Sequence, residues 1–330
     1  MSLASLFRRT PRRFMTPVQL AAHLAPPPTP TAQSKSASSP SPSPSETSAD
    51  DAEPIHGHPV VLPDLTKQWP KITPECLRNI LGDKAVEVEL GRRGRGYLDP
   101  AWQRVEMPFS FFLDYISQSD SAPSGASDSH ASSNGSTPSA TPGPQAPSSH
   151  FPHNAPNAPD HATASSSDAT AGAMHLSAYL AQLPLPCSLP LPPLEHYTSV
   201  KGDLYGRTLW VGNASFTPFH RDPNHGIYTH LYGEKIFYLV PPQNEAHLAP
   251  AAGILRNTSR VPVPISCLDA GEDMNDLEHP PEVYRTMIRE AAKGGYTARL
   301  KAGDSLLIPM GWWHSAEGLG LGVGVNAWFR

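Results

Sequence analysis

The sequence predicts a mainly β fold with flanking helices, a closed barrel or jelly roll, and three observations point to it. From Thr208 to Val240, and again from Gly303 to Trp328, short runs of β-branched and aromatic residues alternate with glycine or polar turns. Helical periodicity is confined to a few short segments before and between these runs. The 39 prolines of the 330 residues crowd with Ser, Ala and Thr into two tracts, leaving roughly 220 residues of ordinary globular composition, enough for one well-buried domain.

Residues 1–25, MSLASLFRRTPRRFMTPVQLAAHLA, carry Arg8, Arg9, Arg12 and Arg13 and no acid. On a short helix Leu3, Leu6 and Phe7 would stand opposite the arginines, as in mitochondrial presequences, although Pro11 and Pro17 weaken that helix. Mitochondrial import is the expectation, with a basic tail or a nuclear signal, hence a nuclear or cytoplasmic protein, as the alternative. Residues 26–54 are rich in Pro, Ser and Thr and bury too little apolar surface to offset the cost of ordering, so they read as a disordered linker. A single folded domain is expected over 55–330.

Within it, HPVVLPDL (58–65) has the apolar run of a buried strand. Thr73 as N-cap with Pro74 at the first helical position starts a helix that should reach about Leu81. Val86, Val88 and Leu90 alternate with Glu87 and Glu89, the period of a half-buried strand. Met107 to Ile116 reads as a second helix with its aromatics toward the core. Residues 118–172 then form a low-complexity insertion, expected as a disordered loop because closure entropy grows only logarithmically with length. Its histidines, His130, His150, His153 and His161, are irregularly spaced without an accompanying acid or thiol pattern and read as loop residues.

The runs TLWVG, ASFTPFH, GIYTHLY and KIFYLV predict a strand meander. Over 281–293, Val283, Tyr284, Met287, Ile288 and Ala291 share one helical face, and Gly294 and Gly295 stop the helix. GDSLLIP (303–309), GWWHSA (311–316) and LGVGVNAW (321–328) return to strands.

The net charge of −5 hides an asymmetry: residues 1–45 hold five cations and no acid, which leaves the remainder at about −10. An acidic body argues against a nucleic-acid partner held by counterion release, with Arg92, Arg93 and Arg95 the one basic rim to consider. Cys76, Cys187 and Cys267 are far apart and in no CxxC pattern, which fits a reducing compartment and indicates neither a disulfide framework nor a thiolate zinc site. No run approaches the roughly 18 apolar residues of a membrane span, so no membrane association is expected.

His220 and Asp222 stand two apart in F-H-R-D-P, so on an extended segment both side chains leave the same face and can grip one ion. His314, flanked by apolar residues, is the candidate third ligand. Two imidazoles and a carboxylate on one face of an octahedron leave open positions, as in iron(II) oxygenases, but the same set serves catalytic zinc. Lys235 follows a turn at Tyr232-Gly233-Glu234 inside the apolar run KIFYLV. Turned inward it demands an anionic partner, which a co-substrate carboxylate would supply; at a strand edge it would face solvent.

With these residues in view, 56–117 and 174–330 resemble the JmjC, cupin-like oxygenases, in particular their small protein hydroxylases. The resemblance rests on T-P-F-H-R-D-P at 217–223, G-E-K at 233–235, G-D-S-L-L-I-P-M-G-W-W-H at 303–314 and V-N-A-W at 325–328. It implies a double-stranded β-helix barrel, and iron(II) held by His220, Asp222 and His314. It implies 2-oxoglutarate held by Lys235 and Thr217 with further contacts from Tyr179 and Asn326, and O2 as oxidant with succinate and carbon dioxide as co-products. Trp210 and Glu89 resemble substrate-cleft residues; core packing and a solvated strand face are the simpler accounts. Relatives often carry Asn where this chain has Gly226, and Asn224 is the candidate to compensate. The chain stops just after its last strand, without the C-terminal helices by which some relatives dimerise, so a monomer is expected.

The implied activity is hydroxylation of a protein side chain. No zinc-ribbon or chromatin-reading module accompanies it, which sets histone or protein demethylation second, and the acidic body sets a transfer-RNA hydroxylase behind that. From other classes, an inactive binding scaffold would fail to take up 2-oxoglutarate, and a zinc hydrolase would leave Lys235 and Thr217 without a purpose.

Overall fold

The computed structural model describes residues 2–25, 57–63, 65–120, 176–189, 204–272, 274 and 276–330. The linker at 26–54 and all of the 118–172 insertion except its first three residues lie outside these. Residues 118–120 prolong a helix.

The N-terminal half begins with β1 (Arg8–Arg9), α1 (Pro17–Leu24), β2 (Val60–Leu62) and α2 (Pro74–Leu81). The α2 start is as its sequence dictates: Thr73 accepts from the Cys76 amide and Pro74 occupies the first turn. There follow β3 (Ala85–Arg92), β4 (Gln103–Pro108), α3 (Phe109–Asp120) and β5 (Leu176–Pro184). Met107, expected in a helix, lies in β4 instead, because Pro108 disfavours helical geometry in the residue before it. Phe109 and Phe112 of α3 are fully buried, whereas Phe111 is 62% exposed and Tyr115 is also exposed, so only one stripe of the aromatics faces the core.

The remaining strands are β6 (Leu204–Asn213), β7 (Phe216–Arg221), β8 (His225–Tyr232), β9 (Glu234–Val240), β10 (Tyr296–Lys301), β11 (Ser305–Ile308), β12 (Trp313–Gly318) and β13 (Leu321–Phe329). Helices Ile265–Ala270 and Pro281–Ala291 lie between β9 and β10. In the second, Tyr284, Ile288 and Ala291 are buried, but Val283 is 41% exposed and falls off the expected face.

The described residues form two sheets, ordered β1-β10-β9-β12-β7 and β2-β11-β8-β13-β6-β5-β3-β4. The fold is the expected jelly roll, but the strands of 208–240 do not pair with one another as a local meander. From β6 to β9 consecutive strands alternate between the sheets, and their partners come from the end of the chain: β7 pairs with β12, and β8 with β11 and β13. Each turn carries the chain across to the other sheet, so that both inner faces bury their side chains against one interior.

In residues 2–25 the expected helix through Leu3, Leu6 and Phe7 is reduced to one 3-10 turn, Ala4–Leu6, with Phe7 already extended. Arg8 and Arg9 pair in parallel with Tyr296 and Thr297 of β10, and Arg13 N–H donates to the Val61 carbonyl of β2 at 3.0 Å. The segment thus touches an edge of each sheet. Arg12 pairs with Asp304, and Thr16 and Gln19 form a reciprocal capping box at the start of α1. Leu3, Phe7, Leu20 and Leu24 are buried, so the core extends beyond the expected 55–330 boundary.

Candidate active site

His220 lies at the end of β7 and Asp222 one residue beyond it. Antiparallel pairing of β7 with β12 sets His314 directly opposite His220, next to a register shift before Ala316. The two imidazoles lie 4.2 Å apart between ring centroids, and His314 Nε2 is 3.8 Å from Asp222 Oδ2. One ligand atom from each of the three residues lies within 4.8 Å of the others, close enough to hold one metal ion.

The protonation states suit that task. His220 Nδ1 is 2.9 Å from the Pro218 carbonyl and His314 Nδ1 is 3.1 Å from the Trp312 carbonyl. A carbonyl only accepts, so each Nδ1 carries the proton and each Nε2 keeps its lone pair. Burial, reinforced by His220, lowers the His314 pKa to about 4 against the opposing pull of Asp222. Burial alone would raise the Asp222 carboxyl, but His314, His220 and the Trp328 indole hold it below its usual range. At neutral pH His314 is a neutral imidazole and Asp222 a carboxylate. Trp328 Nε1 donates to Asp222 Oδ2 at 2.9 Å, which fixes the carboxylate's orientation.

The trio opens into a cavity of about 470 Å³ whose walls come from both sheets. Lys235, on β9, is only 5% exposed within it. Its Nζ donates to Tyr179 Oη at 3.0 Å and sits 5.1, 5.4 and 6.0 Å from the ring centroids of Tyr179, Tyr228 and Phe237. Among the described residues no carboxylate pairs with it, and burial lowers its pKa to about 7. Thr217 lines the same cavity, and its hydroxyl and that of Ser215 act on the Tyr179 phenol. Asn326 is buried on the wall, and its Oδ1 has no partner among the described residues. The structure therefore brings Lys235, Thr217, Tyr179 and Asn326 to the cavity that holds the trio.

Trp210 and Glu89 also line this cavity. Trp210 Nε1 donates to Thr208 Oγ1 at 2.9 Å, and Glu89 sits 3.5 Å from Arg104 with its carboxyl raised by burial. A Cβ placed on Gly226 would meet Asn326 Oδ1 at 3.5 Å, so the glycine leaves room beside that amide. Asn224 does not compensate for it, because its Oδ1 accepts from Arg330 Nε at 2.9 Å and the residue does not line the cavity.

Sequence reasoning missed Tyr97, Trp102, Tyr228, Thr258 and Trp328, which are among the other residues of the wall. Tyr97 Oη lies 3.3 Å from Thr258 Oγ1, joining the β3–β4 connection to the segment after β9. Trp328 stood in the V-N-A-W motif and could have been found there. Tyr97 and Trp102 lie in a connection with no periodicity to mark them.

The family described as “Cupin-like domain” matches residues 54–330. Among curated proteins, tRNA wybutosine-synthesizing protein 4 of Gibberella zeae is 28% identical over 137 residues, 41% of this chain and 12% of its own length. Lysine-specific demethylase JMJ31 of Arabidopsis thaliana is 27% identical over 122 residues, 37% of this chain and 20% of its own length. JmjC domain-containing protein A of Dictyostelium discoideum is 27% identical over 114 residues, 34% of this chain and 40% of its own length. The matched regions thus cover well under two thirds of each relative.

Proposed function

The chain belongs to the cupin-like domain family, and we propose that it is an iron(II)- and 2-oxoglutarate-dependent oxygenase that hydroxylates a protein side chain. One juxtaposition carries this reading: a ligand-ready His220, Asp222 and His314 share a cavity with Lys235, a buried amine with no anionic partner among the described residues. A dicarboxylate that chelates the metal at one end and meets the lysine at the other satisfies both requirements. A hydrolytic zinc centre would use the trio alone and leave the lysine uncompensated.

His220, Asp222 and His314 would hold the iron, and Lys235, Thr217 and Tyr179 the distal carboxylate, with Asn326 on the wall of the same cavity. The chemistry such a centre supplies is oxidative decarboxylation of 2-oxoglutarate coupled to hydroxylation of a substrate C–H bond. The protein's part is positional: the Pro218 and Trp312 carbonyls orient the imidazoles, Trp328 orients the carboxylate, and the aromatic walls exclude bulk water.

A protein substrate is supported by the net charge of −5, which disfavours a phosphate backbone. The likeness to a wybutosine-synthesizing protein favours a transfer-RNA substrate as the second reading. The test is succinate formation with iron(II), 2-oxoglutarate and oxygen, comparing wild type with His220→Ala, Asp222→Ala and Lys235→Ala. Turnover lost in each variant supports the oxygenase. Absence of both turnover and anaerobic 2-oxoglutarate binding would put a non-catalytic binding scaffold in its place.

A further inference from the structure

A second cavity of about 10 Å³ shares Tyr179, Trp210, Tyr228 and Lys235 with the main one and adds His230 and Ser215 to its wall. That volume suits one water molecule and nothing larger. Glycines rather than side chains border it at Gly212, Gly318, Gly320 and Gly322.

His230, on β8, is 1% exposed. Its Nδ1 lies 3.3 Å from Tyr228 Oη, and its Nε2 has no hydrogen-bond partner among the described residues. The Gly233 carbonyl is near enough to favour the charged ring but makes no hydrogen bond with Nε2. Burial, with Lys235 adding to it, lowers the His230 pKa to about 3, so the ring is neutral at working pH. A neutral, fully buried imidazole nitrogen without a partner is expensive, and a water that both donates and accepts satisfies it in either tautomer.

Lys235 presents the complementary need. An ammonium has three N–H donors: Tyr179 Oη takes one, and the distal carboxylate of the proposed co-substrate would take another. The third is left beside the small cavity. The other ionisable group there, Glu234, is paired with Arg299 and Lys301. Tyr179 and Tyr228 are phenols raised by burial, so no anion faces the amine from β5, β8 or β9.

We propose that this cavity is a structural water site in which one water joins His230 Nε2 to the Lys235 ammonium, making His230 a positioning residue for the carboxylate-binding lysine. The inference rests on the oxygenase reading. By giving the ammonium its third partner, the water keeps Lys235 charged and aimed at the co-substrate.

The test is calorimetric binding of 2-oxoglutarate to the manganese(II)-loaded protein between pH 6 and 9, in two buffers of different ionisation enthalpy to count protons taken up. Wild type should bind with constant affinity at the acid end of this range and lose affinity toward the alkaline end, with proton uptake, as Lys235 deprotonates. His230→Leu removes the water's anchor; at pH 7 it should bind roughly tenfold more weakly, with its pH break at a lower value. His230→Gln, whose amide can hold the water, should restore wild-type behaviour. Gly322→Ala keeps the histidine but brings a Cβ to 3.4 Å from its Cε1, crowding the cavity, and should act like His230→Leu.

Wild-type affinity and pH break in folded His230→Leu and Gly322→Ala would overturn the proposal, as would a high-resolution structure with no water between His230 and Lys235. Failure of wild type to bind 2-oxoglutarate at any pH would instead overturn the oxygenase reading on which it rests.

Discussion

Replacing Lys235 with Met tests whether the cavity is built around an uncompensated charge. The side chain is buried among Tyr179, Tyr228 and Phe237, and burial lowers its pKa to about 7. In the unfolded chain a lysine titrates near ~10.4. Between these values the unfolded chain holds a proton that the native protein does not, so this group makes stability rise with pH across that window. Below about pH 7 both states are protonated and the full penalty is present, on the order of 4 kcal/mol for a gap of this size. Lys235→Met removes the penalty but also the hydrogen bond to Tyr179, worth about 1 kcal/mol, for a net stabilisation of roughly 3 kcal/mol at pH 6. The advantage should shrink through pH 8 and vanish near pH 10. Urea denaturation of both proteins without metal or 2-oxoglutarate, at pH 6, 8 and 9.5, measures it. A variant less stable than wild type at pH 6, or a gap unchanged by pH, would show that the lysine already has a charged partner and would refute the reasoning.

Other perturbations separate the parts of the site from its frame. Trp328→Phe removes the indole N–H from Asp222 and should weaken metal binding about tenfold to a hundredfold, as measured by competition with a chelating dye, with little change in thermal midpoint. Gly226→Ala places a methyl group in ordinary contact with Asn326 and Trp328, so thermal melting and metal affinity should match wild type. Removing residues 2–25 exposes the surface that buries Leu3, Phe7, Leu20 and Leu24, each worth about 1.5–3 kcal/mol as an upper estimate, and should lower the melting temperature sharply. An unchanged midpoint would show that the segment rests on the domain without supporting it. The same experiment bears on import, because a cleaved presequence would have to leave a stable remainder.

Local chemistry was legible without coordinates. The Thr73 cap and Pro74 marked the start of α2, alternation marked β3, and the two-residue spacing of His220 and Asp222 on an extended segment put them on one face. Each of these depends on residues within a turn or a few positions of one another, so the chain itself carries the signal. Lys235 was legible for a related reason: a charge inside an apolar strand is costly enough to demand an explanation wherever the strand lies.

Pairing was not legible. The runs from β6 to β9 looked like a meander because adjacent strands usually pair, whereas here they alternate between sheets and take partners from β11, β12 and β13. Nor could periodicity show that Leu3 and Phe7 belong to the core, since a two-residue strand on β10 has no pattern of its own. Composition and spacing thus determined which residues could bind a metal and an anion. Tertiary structure alone decided that His314 meets His220, that Tyr179 reaches Lys235 and that His230 is sealed behind them, because each contact joins strands distant in sequence through the burial of a shared interior.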